Sequence, residues 1–314
     1  MTASPVCLLG PAYVLGEHEV AHTAIDNLGE LARRFKLAPK PDLWGWGTIR
    51  TTSRELADLA VEAGATTVKT AGIDTASVDA LVLCSNRIPG PAEGHGQFVA
   101  DILTGIGLGD IPAYGANLNR CVNLLAGIDL ARALVVSGRY RRVLVITTDK
   151  VAEGADRMSQ FALFSDGAAA CVIAAAGEVG GPAAGPACGF ELLGCATAQE
   201  TATLEWTSQI SADLAKDVNE QLLGAAGLKL GDVAALAHAN LFTPLLVMKE
   251  RQAGFSPDQL YLDNIPRFGH CFAADPLINL VDRVGLGHLK AGSYCLLASS
   301  VPGSRIGALL RRMS

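Results

Sequence analysis

Apolar runs of strand length alternate with helix-period segments along most of this chain, and that alternation constrains the fold more than any single motif. "VDALVLCSN", "RRVLVITTD", "AAACVIAA", "VAALAHAN" and "SYCLLASS" read as strands, whereas "SRELADLAVEAGATTVKTAG" and "QFVADILTGIG" read as helices. Such a succession predicts α/β layers. The order also echoes itself. "AGIDTASVDALVLCSN" (71–86) and "AGLKLGDVAALAHAN" (226–240) both run from a helix end through a polar turn into a strand closed by Asn, which sets Asn86 and Asn240 154 positions apart. Cys121 and His270, 149 apart, each open an apolar helix that leads to a Gly turn and a strand. A duplicated α/β half accounts for both pairs; chance likeness of two αβ segments is the alternative. Between the halves, "AAAGEVGGPAAGPACG" (174–189) has no period and reads as the connection. The expected division is an N-terminal half, 1–176, and a C-terminal half, 188–314.

With 314 residues, half of them apolar, the chain can bury one large core or two intimately packed ones. A formal net charge of −6 and the lack of any Lys/Arg run speak against nucleic acid or an anionic membrane surface as partner. The longest uncharged apolar run is too short to span a bilayer and the start lacks a charged signal-type region, so the expected location is the cytoplasm. The eight cysteines are scattered without C-x-x-C spacing, which does not support a disulfide framework. Each is by default a small buried hydrophobe.

Cys121 differs in its surroundings. In "GANLNRCVNLLAGIDLARALVVSG" a polar approach meets the cysteine and turns at once into a helix pattern over 122–136, with Leu124, Leu125, Ile128, Ala131, Leu134 and Val135 on a broad apolar face and Asp129 and Arg132 on a narrow polar one. A thiol at a helix N-terminus is favoured as thiolate. A catalytic cysteine also needs a base and an oxyanion site. His238, ending a strand in "AHAN", and His270, opening a helix in "RFGHCFAADP", are the candidate bases; Asp275 could orient an imidazole, or be a first-turn carboxylate favoured by the helix dipole. "HEVAH", His18 to His22, formally matches a zinc-binding helix, but it has no third-ligand signature downstream and no metal is expected. His95 and His288 lie in Gly-containing turns and read as solvent-facing, and the small residues of "FSDGAAA" read as a place where layers approach rather than as a nucleotide loop.

"NRCVNLLAGIDLARALVVSGRYRRVLVITTD", "FSDGAAACVIAA", "HAN", "WGWGTIR" and "YCLLASSVPGSRIGALLRRM" together resemble, in order and spacing, the type III β-ketoacyl-ACP synthases of the thiolase superfamily. The resemblance runs nearly end to end. It implies a thiolase-like duplicated αβαβα five-layered fold, usually a homodimer, with Cys121 as the acyl-accepting nucleophile. His238 would be the His of the family's "HQAN", with a one-residue shift. Where the condensing enzymes carry Asn in "GNTSAAS", this chain has "GHCFAAD", with His270 at the Asn position and Asp275 behind it. That Asn, with the His, stabilises the enolate formed by decarboxylation, so its loss speaks against carbon–carbon condensation. The same pattern is similar to a branch of synthase-like acyltransferases of natural-product pathways. It implies transfer from an acyl carrier protein (ACP) or coenzyme A (CoA) thioester, through acyl-Cys121, to a hydroxyl or amine of a small-molecule acceptor, with His238 oriented by Asp275 and no bound cofactor. Pro302 replaces part of the family's C-terminal Gly run and has no NH, which leaves the oxyanion site to the Cys121 NH and Gly303. A decarboxylative synthase and a noncatalytic partner subunit are the alternatives.

Overall fold

Residues along β1 (Val6–Leu15) alternate between two cores: Val6 and Leu8 face one, Cys7 and Leu9 the other. In this computed structural model, which describes residues 5–152, 155–178 and 189–313, that period of two runs through a whole sheet. The further strands are β2 (His18–Ala21), β3 (Thr48–Thr51), β4 (Ala80–Leu83), β5 (Ala113–Gly115), β6 (Arg142–Asp149), β7 (Gly167–Ala175), β8 (Gly189–Gln199), β9 (Val233–His238), β10 (Tyr294–Val301) and β11 (Ser304–Arg312). The helices are α1 (Leu28–Arg34), α2 (Pro41–Trp44), α3 (Leu56–Ala71), α4 (His95–Ile106), α5 (Asn123–Val136), α6 (Ala212–Ala226), α7 (Thr243–Gln252), α8 (Asn264–Phe268) and α9 (Asp275–Gly285).

The sheet order β5-β4-β6-β7-β1-β8-β11-β10-β9 is nearly palindromic. Numbered within its own half, the first set reads 3-2-4-5-1 and the second 1-5-4-2, and an isolated parallel bridge from Leu236 to Leu260 stands where a strand 3 of the second half would pair. Within the sheet, the two sets of strands pair where β1 meets β8, at Cys7–Leu9. Most of the expected connection, residues 179–188 with Cys188, lies outside the described residues.

Three apolar clusters convert this order into layers. The first lies between α3, α4 and one face of the N-terminal strands, and includes Leu59, Ile102, Leu144 and Ile146. The second holds α5 and α9 between the two half-sheets, and includes Leu124, Ile128, Val145, Ile278 and Leu297. The third lies between the C-terminal strands and α6, and includes Val218, Leu222, Leu236 and Leu296. The succession is αβαβα. Each fully buried Leu or Ile contributes about 1.5–3 kcal/mol relative to exposure.

Local chemistry sets the element ends and spacings. The Glu55 and Asp58 side chains form a reciprocal capping box at the start of α3, and Gly72, left-handed at φ 65°, ends it. Gly127 lets α5 lie against the sheet, because a Cβ there would sit 2.1 Å from the Cys84 sulfur. Gly167 of "FSDGAAA" serves the same end, since a Cβ would meet the Val14 carbonyl at 2.6 Å and the Cys271 sulfur at 2.7 Å. No helix among the described residues is long and apolar enough to cross a membrane.

Candidate active site

Cys121 sits in a 3-10 turn, Arg120–Val122, that leads into α5. The turn is held from both halves of the molecule. The Asn119 NH donates to Asn123 Oδ1 at 2.7 Å, and Asn123 Nδ2 reaches the Ser85 carbonyl and Asn86 Oδ1 at 3.5 and 3.4 Å. Asn86 in turn donates its NH and Nδ2 to Asp149. From the C-terminal half, Ser299 Oγ donates to the Cys121 carbonyl at 3.2 Å. Arg120 is left-handed, φ 56°, a conformation that costs a side-chain-bearing residue about 1–2 kcal/mol. Its guanidinium, bonded to the Leu204 and Pro302 carbonyls at 2.9 and 3.1 Å, helps hold that geometry.

His270 approaches from the other side. Its NH donates to the Leu163 carbonyl and its own carbonyl accepts from the Ser165 NH, which clamps its backbone to the segment before β7. Its Nδ1 is hydrogen-bonded to Asp275 Oδ2. Asp275, fully buried, also accepts the Cys271 NH on Oδ1 at 2.7 Å and the Asn240 NH on Oδ2 at 2.6 Å. With Nδ1 committed, Nε2 is the nitrogen left to interact with the Cys121 sulfur. Burial opposes a charged imidazole here, but the Asp275 carboxylate, followed by the Cys121 sulfur, outweighs it and pushes the His270 pKa up to about 10. The structure therefore assembles a line from carboxylate to imidazole to sulfur.

His238 is not part of that line. On β9, Ala235 and Ala237 face the central layer with Cys121, so Leu236 and His238 face the outer α6 side. The one-residue shift needed to match "HQAN" thus carries the imidazole through the sheet, and Ala237 takes the inward position. His238 Nδ1 bonds the Ala239 carbonyl at 2.9 Å, while Nε2 has no partner among the described residues. Burial pushes its pKa down to about 4, against the Ala239 carbonyl bond, and the charges acting on it are Glu250, Lys249 and, last, Asp275. Asp275 orients His270, not His238, as a correction to the sequence reading.

Other expectations also shift. Gly303, φ 71°, turns toward Thr203 and Leu204 and accepts the Glu200 NH; the residues it would have had to join in the Cys121 cleft are Ser300, Val301 and Pro302. The closest structural echo of Cys121 is not His270. Left-handed Arg120 and Phe272, the helix starts Asn123 and Asp275, and the NH donors Asn119 and Cys271 are each 152 positions apart, which makes Ala273 the counterpart of Cys121. "HEVAH" is a strand followed by a turn; His18 and His22 are then about 13 Å apart along the chain direction, too far to share one ion. No cluster of metal-ligating side chains occurs among the described residues. His288 is exposed, whereas His95 is half-buried at the start of α4.

The cleft that reaches Cys121 and His270 is walled by Phe161, Phe164, Trp206, Ile210, Leu241 and Val301. The sequence reading missed these walls and the clamps Arg120, Asn123 and Ser299. A signal existed for Asn123, an amide placed inside an apolar helix start two residues after the cysteine. None existed for Trp206, in a segment without periodicity.

Sequence comparison finds a family model described as 3-oxoacyl-ACP synthase III matching residues 118–185, the stretch that carries Cys121. A β-ketoacyl-ACP synthase III of Solibacter usitatus is 25% identical, over 81% of this chain and 83% of that enzyme. One of Fusobacterium nucleatum is 35% identical over 39% of this chain, a match spanning about a third, 36%, of that enzyme. Among solved structures, ChlB3, named as an acyltransferase, aligns at TM-score 0.81 with 17% identity, covering 99% of this chain and 98% of that one. The Aquifex aeolicus 3-oxoacyl-ACP synthase III aligns at 0.79 with 16% identity, covering 98% and 99%.

The chain is thus similar in sequence to 3-oxoacyl-ACP synthases III, most clearly around Cys121, and its fold is thiolase-like. Within it, the described synthase III-like site contains one imidazole at the sulfur, oriented by a buried carboxylate.

Proposed function

We propose that this synthase III-like chain is an acyltransferase, moving an acyl group from an ACP or CoA thioester, through acyl-Cys121, to a hydroxyl or amine of a small natural-product acceptor. The observation that carries the reading is the Asp275–His270–Cys121 line combined with the outward turn of His238. An enolate would need a second polar side chain beside His270, and position 237 offers a methyl group. The likeness to ChlB3 agrees with the reading.

The steps balance on one imidazole. His270 Nε2 takes the Cys121 thiol proton, and the thiolate attacks the donor carbonyl. The tetrahedral adduct expels the donor thiolate, which leaves with the proton returned by His270. Acylation removes the sulfur's negative charge, one of the two influences that hold the imidazole protonated. His270 can then accept the acceptor's O–H or N–H proton as that oxygen or nitrogen attacks the acyl-Cys121 carbonyl. Collapse releases the product ester or amide, and the Cys121 thiolate recovers the proton from His270. The Cys121 NH, at the first turn of the helix where NH groups lack intrahelical partners, is the expected oxyanion donor. A homodimer fits the open edge of β5 and Leu118, which is 91% exposed three residues before the nucleophile; sedimentation velocity reads that state.

Intact-protein mass spectrometry with a panel of acyl-CoA and acyl-ACP donors tests the chemistry. An adduct that maps to Cys121, disappears in Cys121→Ala and discharges onto an alcohol or amine is expected. Release of carbon dioxide from malonyl thioester with a 3-oxoacyl product would make the chain a condensing enzyme instead. Failure of every donor to load would favour a noncatalytic subunit.

A further inference from the structure

The cleft over Cys121 is almost filled by its own walls, with a free volume of only about 10 Å³, far below the roughly 300–1,000 Å³ of pockets that take drug-sized ligands. Its lining side chains are apolar apart from Cys121, Ser300 and His270, and His270 already has its carboxylate partner. A carboxylate brought in on the acyl group would lose water and find no free cation in that lining. Trp206 stands at the mouth, 39% exposed to solvent with the rest of the side chain against the cleft.

Trp206 is held at three points. Its indole packs edge-to-face with Phe161, ring centroids 5.5 Å apart at 86°. The Arg120 guanidinium lies 5.5 Å from its centroid while bonding the Leu204 carbonyl two residues away. Gln160 Nε2 donates to the Trp206 carbonyl at 3.0 Å. Arg120 directly precedes Cys121, so the residue that fixes the indole also belongs to the nucleophile's own turn.

Resting on the acyl-Cys121 reading, we propose that Trp206 is the size filter of this site and admits small, uncharged acyl groups to Cys121. Arg120 is its positioning residue.

The test compares wild type, W206F and W206A, with W206L in place of W206A should that variant not fold. Loading of Cys121 by acetyl-CoA, benzoyl-CoA and malonyl-CoA is followed by intact mass. Alkylation of Cys121 by iodoacetamide and by N-phenyliodoacetamide is followed in parallel, a readout of access that needs no acyl transfer. Wild type is expected to load acetyl in preference to benzoyl or malonyl. W206A should raise the benzoyl-to-acetyl ratio, and the bulky-to-small alkylation ratio, by about tenfold or more; W206F should hold both within about threefold of wild type. Ratios unchanged in W206A would overturn the filter, and malonyl loading as fast as acetyl would overturn the exclusion of charge. If neither these CoA donors nor the corresponding acyl-ACPs load wild type, the acyl-Cys121 reading fails, and the alkylation ratios still decide the filter.

Discussion

The two halves of the molecule build the same turn and put it to different uses. In the N-terminal half, left-handed Arg120 is followed by Asn123, whose Oδ1 accepts the NH of Asn119. In the C-terminal half, left-handed Phe272 is followed by Asp275, whose Oδ1 accepts the NH of Cys271. The clamp is identical in kind. What differs is the second atom of the side chain: Asn123 Nδ2 donates to oxygens of Ser85 and Asn86, whereas Asp275 Oδ2 accepts the Asn240 NH and holds the His270 imidazole. One half uses a neutral amide to place a sulfur; the other uses a charge to place and protonate a base. Their meeting in the central layer makes the site.

Breaking the charged half has the largest expected effect. D275N keeps an acceptor oxygen but removes the carboxylate, and transfer from a loading donor should fall on the order of 10³-fold. Its stability signature has a definite sign. The His270–Asp275 contribution is full below about pH 6.5 and is lost as pH rises through about 10. The gap in urea midpoint between wild type and D275N should therefore be widest near pH 6 and shrink toward pH 10; a gap that widened with pH would contradict the ion pair.

Copying the charge into the other half sharpens the comparison. N123D would keep the bond from the Asn119 NH but turn a buried carboxylate oxygen toward the Ser85 carbonyl and Asn86 Oδ1, with no imidazole to balance it. Stability should drop by about 2–4 kcal/mol, read from urea unfolding at neutral pH, and recover part of that loss in acid as the carboxyl protonates. A wild-type midpoint would show that the amide donors contribute nothing.

The smallest effect belongs to His238. H238Q should keep acyl transfer within about threefold of wild type, whereas a loss of a hundredfold would return this imidazole to the mechanism. Because burial holds His238 neutral down to about pH 4 while an unfolded chain protonates it near 6.5, its contribution to stability is present above 6.5 and fades as pH falls toward 4. H238Q should flatten that acid loss by about 1–3 kcal/mol.

Much of the architecture is legible in the chain itself, because strand and helix periods are local: β4, β6, β7, β9 and β10 and helices α3 to α5 stand where their apolar patterns place them. The duplication is legible too, although its register is not. Sequence likeness paired Cys121 with His270 at 149 positions, while the repeated backbone turn runs at 152, since side-chain identity and local conformation do not insert and delete together. His238 shows the same limit at the site. A single-residue shift in "AHAN" leaves the motif recognisable and yet moves the side chain to the other face of β9, because successive strand residues point to opposite sides.

By itself, then, the sequence determined the α/β layering, the helix-start cysteine and the presence of His270 and Asp275 five residues apart. Only the tertiary structure decided which imidazole meets the sulfur and that Trp206 lines the cleft above it. The physical reason is range. Propensity and periodicity act over a few residues, whereas the site is set by contacts between Cys121, the 200s segment and the start of α9, which only the packed layers bring together.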